Sequence, residues 1–556
     1  MRALLLDVNI VVDVCSARQP WCFDSAEAIA RCLDNGGRLC LYSGSVQTLE
    51  YSLAKEIFRQ NQQKEVTFAS ALAASRDILA EFCRDKTWLA ALAGEGQVFE
   101  TEDPEDEQLI LALKRFPQDS IKLLTRDREI SDKYPELTIS PENYLNQNLA
   151  AQPTVFVDLA AQQDVIRPTL EKNIHQVLHH GKYIMGPEVE QLEQRLANYT
   201  QSKHCITCSS GTDALLMALM ACGIGPGDAV FTSPFTFIAT AEVIVLLGAT
   251  PVFVDIDPKT FNMDPEHLEK AIQAVQANDS SLYPLPHNST QKLITNNDSP
   301  ITNNPLTNPP LTPKAVIPVD LYGLPAEYQR INQIARKHGL WVIEDAAQSL
   351  GAEYKGSRAG NLGHIGCTSF FPAKPLGGYG DGGAIFTDDD QIAKELKSIR
   401  IHGKGSHKYD NARIGINGRL DTMQAAVLLA KLEIFPDELK KRQNVAQTYS
   451  GKLSDTEFLT LPQVSEDCKS AWAQYSILAQ DSEERQQIQE RLISENIPSV
   501  IYYPKPLHHQ GAFEDLGYTA GDMPVSQDCA SRIFSLPMHP YLTDTENETI
   551  CALIKY

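Results

Sequence analysis

The chain has no apolar run approaching the length of a membrane span. It is also short of positive charge. Lys and Arg number 49 against 71 Asp and Glu, a formal net charge of -22 over 556 residues. That balance argues against a protein that coats nucleic acid or lies on an anionic membrane. It leaves room for an enzyme that cuts RNA through bound metal, because the metal supplies local positive charge. The 12 cysteines follow no framework spacing. The one C-x-x-C, Cys205-Ile-Thr-Cys208, has no second pair and falls in an expected strand, where side chains three apart face opposite ways. Reduced core cysteines in a cytoplasmic protein are expected. The opening Met1-Arg-Ala-Leu-Leu-Leu-Asp7 carries an early carboxylate and no signal-peptide cleavage pattern. Apolar content of 43% and charged content of 22% fit a globular protein, and the length calls for two or three domains.

What is present is organised around Thr368-Ser-Phe-Phe-Pro-Ala-Lys-Pro-Leu-Gly-Gly-Tyr-Gly-Asp-Gly-Gly383. A short apolar strand, Cys367 to Phe371, ends at Pro372, and a glycine-rich loop follows. Glycines let a backbone turn tightly and approach a ligand closely. Lys374 sits between strand and loop, where a pocketed lysine can lose its proton and act as an amine nucleophile. A solvated lysine on a flexible loop is the plain alternative, so other segments must decide.

Residues 1–146 alternate strand and helix, with acids at strand ends and helix starts. The strand Ala3 to Leu6 runs into Asp7, and the strand Arg38 to Tyr42 leads to a helix carrying Glu50. Asp106 lies in the acidic start of a helix, and Ile121-Lys-Leu-Leu-Thr-Arg-Asp127 is a strand ending in an acid. Sites in parallel sheets form at the carboxyl ends of strands. Converging carboxylates need a cation, and hard oxygen ligands suit Mg²⁺ or Mn²⁺. Taken singly, each acid is as well explained as a helix cap or a solvated side chain. Together, L-L-L-D-V-N-I-V-V-D, Glu50, P-E-D-E-Q and L-T-R-D resemble the PIN domain, a small metal-dependent ribonuclease fold. That resemblance implies Asp7, Glu50, Asp106 and Asp127 as metal ligands and RNA as a partner.

A polar, proline-terminated linker is expected at 147–153. From Ala277 to Pro313 the sequence is dense in Asn, Thr, Pro and Ser, so a disordered insert is expected there. From about Ala197 strands and helices alternate again. Ser209-Ser-Gly-Thr-Asp-Ala-Leu215 follows a strand and opens an apolar helix, leaving backbone N–H groups and a helix dipole that suit a phosphate. Phe237, in Ser233-Pro-Phe-Thr-Phe-Ile-Ala-Thr240, can offer a face to a planar ring. The strand Leu340 to Ile343 ends in Glu344-Asp-Ala-Ala-Gln348, and a carboxylate there can hold a protonated ring nitrogen. A phosphate cradle, an aromatic platform, a carboxylate for a pyridinium and an amine for a Schiff base are the demands of pyridoxal phosphate.

Residues 155–556, apart from the insert, resemble the DegT/DnrJ/EryC1/StrS family of sugar aminotransferases. The segments that carry the resemblance include S-S-G-T-D-A-L, T-F-I-A-T, E-D-A-A-Q, S-F-F-P-A-K-P-L-G-G-Y-G-D-G-G-A, G-I-N-G-R-L-D-T-M-Q-A-A, Y-Y-P-K-P-L-H and S-L-P-M-H-P. The resemblance implies an α/β fold-type I protein. A large seven-stranded mixed sheet domain over 154–400 binds pyridoxal 5'-phosphate, and a smaller α/β domain with dimer and substrate elements covers 401–556. It implies that Lys374 carries the cofactor as a Schiff base and Asp345 faces the ring nitrogen. Gln348 contacts the hydroxyl side, Gly211, Thr212 and Ser369 hold the phosphate, and Phe237 stacks on the ring. Asn417 reaches a phosphate across a homodimer interface, and His402, Tyr409, Arg413, Arg419 and His508 line the substrate side. The expected reaction moves the amino group of L-glutamate to a nucleotide-linked keto sugar, with UDP-2-acetamido-3-oxo-glucuronate the nearest match. Lys374 stands where dehydrating relatives have histidine, which favours transamination. A competing reading makes the first domain a metal-dependent ribonuclease and the second a passive dimeriser.

Overall fold

Short apolar runs rich in Val, Ile, Phe and Ala become strands throughout, as a sheet covered on both faces requires. The computed structural model describes residues 154–286 and 310–555, apart from residue 408; within the first 152 residues it describes five strands and isolated positions. The chain divides into two compact units, Met1–Gln152 and Pro153–Tyr556.

In the first unit the strands are β1 (Ala3–Leu6), β2 (Arg38–Tyr42), β3 (Thr87–Leu89), β4 (Ile121–Leu124) and β5 (Thr138–Ile139). All four pairings are parallel, in the order β3-β2-β1-β4-β5. The strand order reverses at the β1–β4 pair, whose buried residues include Leu6, Leu123 and Leu124. Asp7, Glu50, Asp106 and Asp127 lie outside the described residues.

The second unit begins with α1 (Leu159–His180) and α2 (Pro187–Thr200). Its principal sheet contains β6 (His204–Cys208), β7 (Asp228–Thr232), β8 (Thr250–Phe253), β9 (Thr312–Ile317), β10 (Trp341–Asp345), β11 (Ile365–Ser369) and β12 (Gly383–Thr387). The order is β6-β12-β11-β10-β9-β7-β8, seven strands of which β12 alone runs antiparallel to its neighbours. One face buries Val230, Ile317, Ile343, Ile365 and Ile385 under α3 (Gly211–Ala221), part of α4 (Ala239–Leu246) and, further on, α7 (Asp390–Ile399). The other buries Phe231, Val252, Val316 and Val342 under α5 (Pro265–Ala277) and α6 (Tyr328–His338). Successive residues of each strand alternate between these two cores. The long helix α8 (Thr422–Leu453) packs on α1 and α2 and then enters a smaller layer. There it covers an antiparallel sheet of β13 (Leu459–Thr460), β14 (Tyr475–Ala479) and β15 (Ile533–Leu536) with α9 (Ser482–Ser494) and α10 (Asp544–Lys555). Among the described residues no helix is long and apolar enough to cross a membrane.

The polar insert is narrower than its composition predicts. Ala277 ends α5, Asn278 caps it at φ 51°, and after an exposed stretch the chain returns to the core at Tyr283. Tyr283 is buried, and its hydroxyl accepts a hydrogen bond from the Asp255 N–H at 2.9 Å. At the far end Thr312 and Pro313 belong to β9, with the Thr312 N–H on the Gly227 carbonyl at 2.9 Å. Tyr283 and Leu285 supply the packing that their neighbours lack. Residues 287–309 lie outside the described residues.

Glu344 and Asp320 share a buried site behind β10. Glu344 accepts from the Gly360 N–H at 2.6 Å and the Leu362 N–H at 2.8 Å. Asp320 Oδ1 accepts from the Ala326 N–H and the Tyr328 hydroxyl, both at 2.9 Å, and Oδ2 from the Ser349 hydroxyl at 2.7 Å. Burial pushes both carboxyls up, Asp320 to about 6. A raised folded-state pKa means the folded protein holds the proton more tightly than the unfolded chain. The stabilisation is therefore full below an unfolded value of about 4 and is lost as pH rises through about 6. Asp320→Asn keeps Oδ1 and can donate to Ser349. Between pH 4.5 and 6.5, roughly this window, the wild type is expected to lose about 2 °C of Tm relative to this variant. Parallel thermal melts across that range check it, and superimposable pH slopes contradict it.

Candidate active site

The site forms where β10 and β11 end side by side. Asp345, the last residue of β10, pairs with Cys367 in β11, two residues before Ser369. The Ala346 N–H meets the Cys367 carbonyl at 2.7 Å, and the Thr368 hydroxyl meets the Ala346 carbonyl at 2.9 Å. The carboxylate is thereby carried out of the strand but not out of the protein, for Asp345 is buried. Its Oδ2 accepts from the Thr240 hydroxyl at 2.8 Å, and Oδ1 accepts from the Ala347 N–H at 3.2 Å. Burial raises its pKa, while Thr240, Ala347 and the Lys374 charge pull it back. Lys374 shows the complementary pattern: burial lowers its pKa and Asp345 opposes the shift. A lysine so placed is easier to deprotonate than one in water.

Lys374 stands in a loop closed on itself. Its N–H meets the Phe371 carbonyl at 2.9 Å, and the Gly378 N–H and the Phe370 carbonyl meet at 2.7 Å. Beside the loop, Ser210 caps α3 by accepting the Asp213 N–H at 3.0 Å, and the Ser209 hydroxyl donates to the Asp213 carboxylate. Among the described residues the N–H groups of Gly211 and Thr212, at the start of α3, donate to no protein group. A Cβ at Gly211 would lie 2.7 Å from Ser369 Cβ, so only glycine lets α3 approach the end of β11 this closely. The result is a small concavity of free amides and hydroxyls at a helix N-terminus.

Gln348 is buried between the two tyrosines that fix its amide. Its Oε1 accepts from the Tyr322 N–H at 2.5 Å, and its Nε2 donates to the Tyr503 hydroxyl at 3.0 Å. Phe237 stands 6.5 Å from the Tyr503 ring and is 56% exposed, so its face is open to a planar ligand. A buried carboxylate short of positive partners, a lysine with depressed pKa, an open aromatic face and unpaired amides at a helix start fit pyridoxal phosphate. Asp345 would hold the ring nitrogen, Phe237 and Gln348 would bracket the ring, and Gly211, Thr212 and Ser369 would hold the phosphate.

Residues 164–555 match the model of the DegT/DnrJ/EryC1/StrS aminotransferase family. The chain belongs to that family. The aminotransferase unit is 45% identical over 399 residues to the UDP-2-acetamido-2-deoxy-3-oxo-D-glucuronate aminotransferase of Pseudomonas aeruginosa, covering 72% of this chain and 99% of that protein. It is 37% identical over 400 residues to the UDP-N-acetyl-3-dehydro-alpha-D-glucosamine 3-aminotransferase of Acidithiobacillus ferrooxidans, covering 72% and 96%. A crystal structure of a family member from Brucella abortus superposes with a TM-score of 0.64 at 48% identity, covering 72% of this chain and 98% of that one.

In this aminotransferase the remaining expected residues lie on the 402–419 segment and at position 508. Asn417 is exposed, and its Oδ1 accepts from Arg419 at 2.5 Å; the Arg419 Nε is buried without a partner among the described residues. His402 is exposed at φ 53°, its carbonyl held by Asn411 at 2.7 Å. Arg413 is half-buried, and Tyr409 stands largely in solvent. His508, expected on the substrate side, is seated in the core with its ring 6.4 Å from Phe253. Burial first, then His509, pushes its pKa down to about 4. The Y-Y-P-K-P-L-H segment instead contributes Tyr503. Thr240 and Tyr503 are the site residues that sequence reasoning missed. Thr240 stands within T-F-I-A-T, one α-helical turn after Phe237, and that spacing could have found it.

Thr240→Val removes a hydrogen bond to a buried carboxylate, worth about 1.5–3 kcal/mol. The acid limb of the kcat profile is expected to move up by about one pH unit, because Asp345 then ionises less readily. A pH–rate profile of the holoenzyme checks this, and an unmoved acid limb counts against Asp345 as the ionised partner.

Proposed function

We propose that the second unit transfers the amino group of L-glutamate to the 3-keto carbon of a UDP-linked 2-acetamido sugar, with 3-oxo-glucuronate as the sugar. The observation that carries the reading is the parallel register that sets the buried Asp345, at the end of β10, beside the end of β11, which Lys374 follows, with the pKa of the lysine held down by burial. The sugar is supported by the 45% identity to the Pseudomonas aeruginosa enzyme across nearly its whole length. Bound pyridoxal phosphate supplies the electron sink for the carbanion at the reacting carbon. Asp345, ionised, keeps the ring nitrogen protonated. The Lys374 amine takes the proton from Cα of the amino donor and returns one to C3 of the sugar in the second half of the cycle. Arg413 and Arg419 are the candidates for the sugar carboxylate, which a guanidinium can meet with two hydrogen bonds.

A homodimer belongs to the same proposal. Tyr409 is 88% exposed and Ile414 85% exposed, and Phe371 beside the lysine loop is 53% exposed, a set of apolar groups that a second copy could cover. Asn417 lies on the same 402–419 segment. For residues 1–146 we propose a PIN-like domain, supported by the all-parallel β3-β2-β1-β4-β5 sheet and by acids that follow β1 and β4 in the sequence. A nuclease role for it, with Mg²⁺ or Mn²⁺, has no support from the related proteins.

The absorption spectrum of the purified protein tests the main reading. A visible band of lysine-bound cofactor is expected to fade with L-glutamate and return with the 3-keto sugar. Lys374→Ala is expected to lose turnover by at least about 10³-fold, with some cofactor affinity left in the phosphate cradle. Turnover near the wild-type value in that variant would refute the assignment.

A further inference from the structure

Gln424, Lys431 and Glu438 are seven residues apart on α8, so they lie along one stripe of the helix. All three serve polar contacts inside the protein. Gln424 brackets one residue of the glycine loop: its Oε1 accepts from the Tyr379 N–H at 2.8 Å and its Nε2 donates to the Tyr379 carbonyl at 3.2 Å. The flanking glycines are shaped to it. A Cβ at Gly378 would lie 2.9 Å from Gln424 Oε1, and one at Gly380 would lie 2.8 Å from Nε2. Lys431 is fully buried, its amine 4.3 Å from the centre of the Tyr379 ring and, among the described residues, without a hydrogen-bond partner. The Tyr379 hydroxyl likewise has none among the described residues. A desolvated amine without an acceptor is costly, and the ring face is what meets it here. Glu438, further along the stripe, is engaged by Gln162 at 2.9 Å and Tyr541 at 2.6 Å.

Tyr379 lies five residues after Lys374 in the same closed loop. That loop contains Gly377, Gly378, Gly380, Gly382 and Gly383 and would otherwise have wide conformational freedom. We propose that Gln424 and Lys431 are positioning residues for Lys374: through the backbone and the ring of Tyr379 they hold the glycine loop, and with it the lysine amine, at the reacting carbon. The proposal rests on the reading of Lys374 given above. Among the described residues neither side chain hydrogen-bonds the lysine, so the effect passes through the loop at Tyr379 and its flanking glycines.

The test uses the holoenzyme with Gln424→Leu, Lys431→Met, Tyr379→Leu and Tyr379→Phe. Three quantities are read: the limiting rate and half-saturation of the glutamate-driven fading of the visible band, scaled to band amplitude; the pH midpoint of that band; and the Tm of the cofactor-free protein. The first three variants are expected to slow the limiting rate about tenfold to a hundredfold, with half-saturation changed less than about threefold. Their band midpoint is expected to move. Lys431→Met combined with Tyr379→Leu is expected to be no slower than the slower single variant, because both remove one contact. Tyr379→Phe keeps the ring and is expected to retain the wild-type midpoint. Should Lys431→Met not fold, Gln424→Asn, which only withdraws the amide from Tyr379, carries the test. A lowered Tm with unchanged scaled rate and midpoint overturns the proposal, since it marks a merely structural role. A wild type without a glutamate-responsive band overturns the reading of Lys374, and the proposal with it. A responsive wild type with indifferent variants overturns the proposal alone.

Discussion

Asp345 is a carboxylate withdrawn from water at the end of a buried strand, and the site is built to make that tolerable. The parallel register of β10 and β11 places it beside the segment that carries Lys374. Thr240 and the Ala347 N–H meet its oxygens, and the nearest opposite charge is the lysine. The same burial acts on both groups with opposite signs: it raises the acid and lowers the base. Each charge restrains the other's shift. A cationic ring bound between them would relieve the carboxylate and release the amine from its counter-charge, which is why the pair reads as a cofactor site rather than a structural ion pair.

Much of this was legible in the sequence because the decisive features are local. An acid following a short apolar run marks a strand's carboxyl end. Ser-Ser-Gly-Thr-Asp after a strand marks a helix start with free amides, and a lysine before a glycine run marks a loop that can crowd a ligand. The reading of Gly211 as a cradle residue has a steric reason in the structure, the 2.7 Å approach of Ser369 Cβ, which no local pattern could supply. What could not be read comes from distant segments meeting. Tyr503 reaches Gln348 from 155 residues away, and Gln424 reaches the glycine loop from 45. That Phe253 and Tyr518 lie beside the His508 ring is likewise visible only in the fold. Composition misplaced the edges of the polar insert for a related reason. One buried tyrosine outweighs several polar neighbours once a core is available to receive it.

The glycine loop poses a physical problem that the long helix answers. Glycines permit the closed path from Phe370 to Gly382, and the same freedom would let the path vary. Gly377 cannot become alanine, since a Cβ there would lie 2.3 Å from the Pro372 carbonyl oxygen. Stiffness therefore has to come from outside the loop. A side-chain amide is suited to this because it can satisfy both the N–H and the carbonyl of one residue, and so hold the two peptide planes that flank it.

The two acids that end β10 illustrate how one strand serves two purposes. Side chains alternate along a strand, so Glu344 and Asp345 point to opposite faces. Asp345 is left with oxygen lone pairs facing the site. Glu344 is spent on the Gly360 and Leu362 amides and, beside Asp320, is pushed towards its neutral form. If both acids at this strand end stayed fully ionised, their repulsion would work against the carboxylate that the chemistry needs. Keeping a proton on the Glu344–Asp320 pair lets Asp345 be the charge that the site presents, so the interior behind the strand is part of the electrostatics of the face in front of it.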